Sequence, residues 1–412
     1  MMDRPIAGRG SAPHPWRVTL ALFAITSAIE TMGVSQIAAF LPLDLRSMGL
    51  SPAMIPRFVG VLNALVFVFG LPLVPLWGVL ADKYSRKLVI TRSAVVEAIV
   101  FGAIAVSRHP WELAVSLLLV GFQLGNTGVM LAAIRDVTPR ARLGTAMAIF
   151  GASSPVGFAA GPAVGGFLLD HVHAPVAAVY AVSSALSVAS AIMLAVGLHE
   201  VRPSVIPTGG MVTLARRALR GVFTDGVTRR LFALLGCIML ARQMSSPFLP
   251  LLVERVHGNS ALASDIALVV GTAALIGGAV SPAAGAIGDR VGLAAVLIAA
   301  LFGAGLILVA TPVMPTVAWL AVANGFAAGC YAAVSAMVYG LLAVALPAER
   351  RSATLNLIYL PLYLAGIAGP AVGALLTVLG LPAIYDAAGL VVIAAAALEL
   401  RRERCRRSHR AE

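Results

Sequence analysis

Long apolar runs broken by short polar punctuation dominate the chain. A hydrocarbon layer about 30 Å thick takes roughly 20 residues of α-helix, and the sequence offers run after run of that order. Twelve runs are found, at residues 18–41, 58–80, 88–107, 112–134, 143–168, 175–198, 231–253, 262–284, 291–311, 316–343, 353–378 and 382–399. The pattern predicts an all-α integral membrane protein with twelve transmembrane helices. The first run is too long for a signal-peptide core and is followed by no small-residue cleavage site, so it reads as the first helix.

Composition agrees, at 59% apolar and 12% charged residues with a mean hydropathy of +0.94, well outside the soluble range. A net charge of +12 admits a nucleic-acid partner until the basic positions are mapped. With both termini placed in the cytoplasm, 25 of the 30 Lys and Arg fall in cytoplasmic segments. Outer segments keep Arg46, Arg57, Arg108 and Arg255, and Arg242 lies inside a run. The positive-inside rule then predicts a multi-pass protein of the plasma (inner) membrane with both termini cytoplasmic, and no nucleic acid is needed. The basic tail is expected to lie on anionic headgroups. Trp16, Trp77, Trp111 and Trp319 fall near run ends, as an interfacial belt requires.

The pentapeptide GPAVG occurs at Gly161–Gly165 and again at Gly369–Gly373, 208 positions later. The same shift lays FLPL at Phe40–Leu43 on FLPL at Phe248–Leu251, and Pro139 and Arg142 on Pro347 and Arg350; a shift of 207 lays GVLAD at Gly78 on GAIGD at Gly285. Two pseudo-symmetric six-helix bundles are expected, 1–198 and 231–400, joined by a cytoplasmic linker 199–230 and followed by a tail 401–412. A shift by an even number of helices preserves orientation, so the axis relating the copies runs along the membrane normal.

GVLADKYSRK at Gly78–Lys87 resembles the signature loop of the major facilitator superfamily, with Asp82, Lys83, Arg86 and Lys87 in matching places and Ser85 where glycine is usual. Gly157, Gly161, Pro162, Gly165 and Gly166 resemble the antiporter motif of its drug and metabolite efflux branch. The arginine that this branch carries on its fourth helix has no counterpart, since Gly121 or Leu117 stands there. The resemblance covers essentially the whole chain. It implies the major facilitator fold and a monomeric secondary active transporter that exports drug-like or small organic solutes by alternating access, driven by a proton gradient. Uniport, solute import, or a sensor without turnover are the alternatives. Gating is expected of Gly78, Asp82, Lys83, Arg86 and Arg142, of Asp289 and Arg290 in the second copy, and of the pivots Gly157, Gly161, Pro162, Gly165, Gly369 and Pro370. Asp82 is expected to dock on a helix N-terminus and on arginines such as Arg142.

Ionisable residues inside membrane helices mark function by default. Glu30 lies about 20 Å along the first helix and Arg242 about 17 Å along the seventh, at 1.5 Å per residue. Their similar depth suggests that Glu30 is the proton-coupling carboxylate and Arg242 its switchable counter-charge, with Glu97 on the third helix a further candidate. Substrate contacts are expected from Gln123, Asn126, Asn324, Tyr331, Asn356, Tyr359 and Tyr363, a mixed amide and aromatic wall suited to an amphipathic solute. No P-loop, nucleophile elbow or dinucleotide fingerprint is present, so an enzyme has no motif to stand on. No cofactor is expected. Cys237, Cys330 and Cys405 form no C-x-x-C, and the HVH at His171–His173 lacks a third ligand, so no metal site is expected either.

Overall fold

A computed structural model describes residues 16–201, 226–258, 261–345 and 360–411. The described residues form helices and no strand, and twelve helical stretches are long and apolar enough to cross a membrane. In chain order they are α1 (Trp16–Ser47), α2 (Ile55–Val68 continuing as Gly70–Lys83), α3 (Arg86–Val106), α4 (Pro110–Leu119 and Asn126–Val137), α5 (Leu143–Asp170) and α6 (Val176–Gly197). There follow α7 (Gly226–Ser245 and Leu249–Val256), α8 (Leu262–Val291), α9 (Leu293–Ala310), α10 (Val317–Ala345), α11 (Leu360–Leu376) and α12 (Leu381–Ala411).

The pairing of helices repeats itself. α1 packs along α5 and α3 along α6; six helices later α7 packs along α11 and α9 along α12. Small residues set these approaches. A methyl added at Gly157 or Gly161 would run into the backbone of α1 at Ala28 and Met32, and one at Gly369 into that of α7 at Gln243 and Met244. Gly165 faces the Phe40 ring, and Gly373 faces the Phe248 ring 208 positions on. The doubled pentapeptide is therefore one packing solution used twice: glycines four apart make a flat stripe on which a second backbone closes.

The two sets of six helices meet through α5 on α8 and α2 on α11. Call the face that holds Trp16 of α1 and the end of α12 the terminal face. At the opposite face the sets are closed. Gly166 lies against Ala263 and Ser264, Gly271 against Ala159, and Gly60 against Pro370 and Ala374. Arg46 of α1 is salt-bridged to Glu254 of α7. The Ser264 amide in the first turn of α8 donates to Asp170 at the end of α5, at 2.6 Å, where a carboxylate suits the positive helix end.

Local sequence explains the interruptions. Pro247, inside the short 3-10 turn Ser246–Phe248 that parts α7, and Pro250, just after it, lack an amide hydrogen. The fourth run, expected as one continuous helix, is broken at Gln123–Gly125. Gly125 sits at φ 96°, in the left-handed region that glycine enters without cost, and the second segment of α4 starts after it. Two carbonyls at this break, those of Gln123 and Leu124, receive their hydrogen bonds from α3, as backbone at membrane depth must be satisfied by neighbouring protein or water.

Candidate functional site

A cavity of about 990 Å³ lies between the two sets of helices. Ala148, Gly151 and Ala152 of α5 and Ser281 and Pro282 of α8 line it, on the terminal side of the level where Gly278 meets Pro155. It extends from mid-membrane towards the terminal face, while the opposite face is shut by the contacts described above. Its wall is mostly apolar, with Asn63, Gln243, Ser245, Asn324 and Ser335 as polar points and Phe67, Phe158 and Tyr331 as aromatic ones. Arg242 lines it too, with its guanidinium carbon 6.0 Å from the Tyr331 ring centroid.

A second polar centre is packed behind the wall, inside the first six helices. Glu30 of α1 is 8% exposed and sits one helical turn from the cavity-lining Val34. Its Oε1 accepts a short hydrogen bond from Asn126 Nδ2, at the head of the second segment of α4. The Ser93 hydroxyl of α3 lies 2.8 Å from the same oxygen and 2.9 Å from the carbonyl of Gln123. One hydroxyl proton serves only one of these acceptors at full strength. Arg92, next on α3, donates through Nη2 to the carbonyls of Gln123 and Leu124, both at 3.3 Å, and its guanidinium stacks 3.6 Å over the Trp77 ring. Its Nε and Nη1 have no hydrogen-bond partner. Glu97, fully buried, lies one turn further along α3 towards Gly33. Ser187 and Gln123 are its polar neighbours, yet neither carboxyl oxygen has a hydrogen bond of ordinary geometry.

The expected bridge between Glu30 and Arg242 is therefore not made. Depth along a helix fixes one coordinate, and the direction a side chain leaves the helix fixes the other. Glu30 turns to α3 and α4, whereas Arg242 turns to the cavity. Gln123 and Asn126, expected on the substrate wall, belong instead to the Glu30 centre. Asn324 and Tyr331 do line the cavity, and Tyr363 packs its ring 6.1 Å from that of Phe67, a lining residue. Asn356 and Tyr359 lie outside the described residues. Trp77, expected in an interfacial belt, is the platform under Arg92, and Arg92, grouped in sequence with the cytoplasmic basic residues, lies inside α3.

At the terminal face the signature loop is held within the first six helices. Asp82 is paired with Arg86, at 3.0 Å, and Arg86 also reaches Asp136 at the end of α4, at 2.8 Å. Arg142, the partner expected for Asp82, is exposed at the start of α5. Ser85, in the usual glycine place, caps α3 by accepting from the Leu88 amide, at 3.0 Å, and donates to Glu200. Lys83, Asp289 and Arg290 are exposed, and a methyl at Gly78 would meet nothing within 4 Å. The Arg86 side chain is 3% exposed against 39% and 21% for its two carboxylates. Arg86→Met should therefore cost about 2 kcal/mol, below the range for a fully buried pair, read as a fall in melting temperature of the purified protein.

Arg46, Glu254, Asp170, Ser93 and Arg92 were not singled out as functional by sequence reasoning. A signal existed for the first two, because 46 and 254 are themselves 208 apart and opposite in charge.

A family model, Major Facilitator Superfamily, matches residues 23–264 and 231–410. The multidrug resistance protein MdtG of Enterobacter lignolyticus (strain SCF1) is 28% identical over 307 residues, covering 72% of this chain and 71% of that one. MdtG of Salmonella typhi is 26% identical over 306 residues, covering 72% and 73%. Among solved structures, a mutant of the nucleoside transporter NupG superposes with a TM-score of 0.77 at 13% identity, covering 93% of this chain and 99% of that one. A bacterial homologue of the human lysosomal transporter Spinster, inward-facing and occupied, gives 0.74 at 16% identity, covering 96% and 98%.

Proposed function

Because this chain belongs to the Major Facilitator Superfamily and is a transporter, not an enzyme, we propose that it exports small organic solutes in exchange for protons, by alternating access. The relatives named for multidrug resistance support the direction. The observation that carries the coupling is the Glu30 carboxyl, held at the break in α4 and one turn from the cavity wall. We further propose that both termini are cytoplasmic, which makes the cavity inward-open, and that the two six-helix bundles, 1–198 and 231–400, move as the rocking units of a monomer.

The hydrogen bonds supply a mechanism. When Glu30 is ionised, the Ser93 hydroxyl is drawn to it and α1 is tied to α3. When Glu30 is protonated, its own O–H donates to Ser93, whose proton turns to the Gln123 carbonyl and ties α3 to the break in α4. Proton occupancy thus rewires contacts among three helices, of which α1, through Val34, and the turn between the two segments of α4, through Val120, contribute to the cavity wall. Glu97, a second carboxyl nearby, offers an onward stop for the proton.

Flux into inside-out vesicles, with and without a pH gradient, tests the reading. Solute accumulation that rises with an acid-inside gradient is the expected result. Accumulation indifferent to the gradient, in vesicles that still take up solute, overturns the coupling.

Closure at the opposite face provides a separate check. Arg46 and Glu254 are 44% and 28% exposed in their side chains, so their pair is worth about 1 kcal/mol at most. Arg46→Glu should shift the population towards opening at that face by up to about fivefold, read by labelling a cysteine placed at Ala38, in a chain whose own cysteines are replaced, with a membrane-impermeant thiol reagent added from that side alone. The double exchange Arg46→Glu with Glu254→Arg should restore it.

A further inference from the structure

Resting on that reading, we infer that the cavity selects organic anions, with Arg242 as the anchor of the charged group. Among the described residues Arg242 is the sole charged side chain that lines the cavity, and it sets a positive field there. It takes part in no salt bridge among the described residues, and its ionisable neighbours are the phenols Tyr331 and Tyr339, not carboxylates. Of the buried carboxyls on the first six helices, Glu30 is occupied by Ser93 and Asn126, Glu97 is packed beside Gly33, and Asp44 lies at the far end of α1 beside Ser47; none lines the cavity. Arg242 is exposed to the cavity, as a charge at membrane depth must be when no carboxylate pairs with it, and is open to a ligand carrying the opposite charge.

The rest of the site fits such a ligand. Tyr331 is 7% exposed, lines the cavity beside Ser245, and its hydroxyl makes no hydrogen bond of ordinary geometry. It stands as a donor next to the guanidinium, and together they make a two-point grip for a carboxylate, sulfonate or phosphonate. Asn324 donates one amide hydrogen to the Val269 carbonyl, at 3.0 Å, which leaves its oxygen for a neutral donor on the ligand. Phe67 and Phe158 supply the surface for an aromatic or aliphatic body. The preferred solute is an amphipathic organic anion, and an amphipathic cation of the same shape is rejected by the like charge.

Three matched probes decide the matter: 2-naphthalenesulfonate, the neutral 2-naphthalenesulfonamide, and a naphthyl trimethylammonium cation. Binding is measured by calorimetry on the full chain in phosphatidylcholine nanodiscs, with no gradient imposed. Loss of proton coupling therefore leaves this result standing, and failure here leaves proton coupling intact. The anion is expected to bind at least tenfold more tightly than the cation. Arg242→Gln should erase that preference while the sulfonamide still binds, which also certifies the fold, and Arg242→Lys should keep much of it. Tyr331→Phe should weaken the sulfonate severalfold. Equal or stronger binding of the cation overturns the assignment, as does an unchanged ratio in Arg242→Gln, or no binding of any probe to the unmodified chain. Adding phosphatidylglycerol to the nanodiscs tests a lipid source for the anion. Displacement of the sulfonate would give the site to a headgroup and overturn a soluble substrate; undisturbed binding supports one.

Discussion

Glu30→Gln will leave a folded, membrane-inserted protein that binds solute and has lost pH-gradient-driven transport by roughly a hundredfold or more, the scale at which a proton-transferring group is missed. The amide is close to an isostere of the protonated acid. With its oxygen at the Oε1 position the amide still accepts from both Asn126 and Ser93, so the hydrogen bonds of the ionised arrangement persist. What the amide lacks is a proton to release. The protein should be held in one wiring of α1, α3 and α4, with melting temperature little changed because no buried partner is left unsatisfied. Exchange of solute for solute, which needs no net proton movement, gives the contrast: it should survive where gradient-driven accumulation does not. Retention of gradient-driven accumulation at the level of the parent chain would remove Glu30 from the coupling step.

Gly157→Val will cost about 3 kcal/mol or more, the upper part of the range for overfilling a packed contact. Gly157 sits where α5 crosses α1, and the first atom beyond its Cα would overlap the Ala28 carbonyl oxygen and the Thr31 hydroxyl. Backbone does not rotate aside as a side-chain tip does, so the helices must part. Parting them loosens the Gly161 and Gly165 contacts with Met32, Ser35 and Phe40 as well. The expected readout is little monodisperse protein after detergent extraction. Gly151→Ala, on the same helix, has nothing within 4 Å of the added methyl and should be neutral or slightly stabilising through helix propensity. Equal yields of the two variants would mean that the stripe on α5 is not a packing surface.

The sequence made the membrane class, the twelve crossings and the doubled pentapeptide legible, because each rests on periodicity along one chain. The break in α4 was not legible, because GFQLGN lies within an apolar run and only the φ of Gly125 reveals the interruption. Glu30 and Arg242 were rightly noticed as charges within membrane helices and wrongly joined. Under the 208-residue shift Arg242 corresponds to Val34, and both line the cavity; Glu30 corresponds to Ile238, which is fully buried. The repeat thus held the azimuth that helical rise omits, but only coordinates show which equivalent pair faces the cavity. Arg92 escaped notice because it follows a basic loop, and its use depends on Trp77 and on carbonyls from another helix.

The salt bridge at the opposite face carries a further consequence. Positions equivalent in two copies related by a two-fold axis meet only close to that axis, and Arg46 and Glu254 are such positions. Two identical subunits could never build this latch, since the site would confront arginine with arginine or glutamate with glutamate. The latch therefore depends on the two copies differing in sequence at this point, so the closure of this face is a product of their asymmetry and not of their likeness.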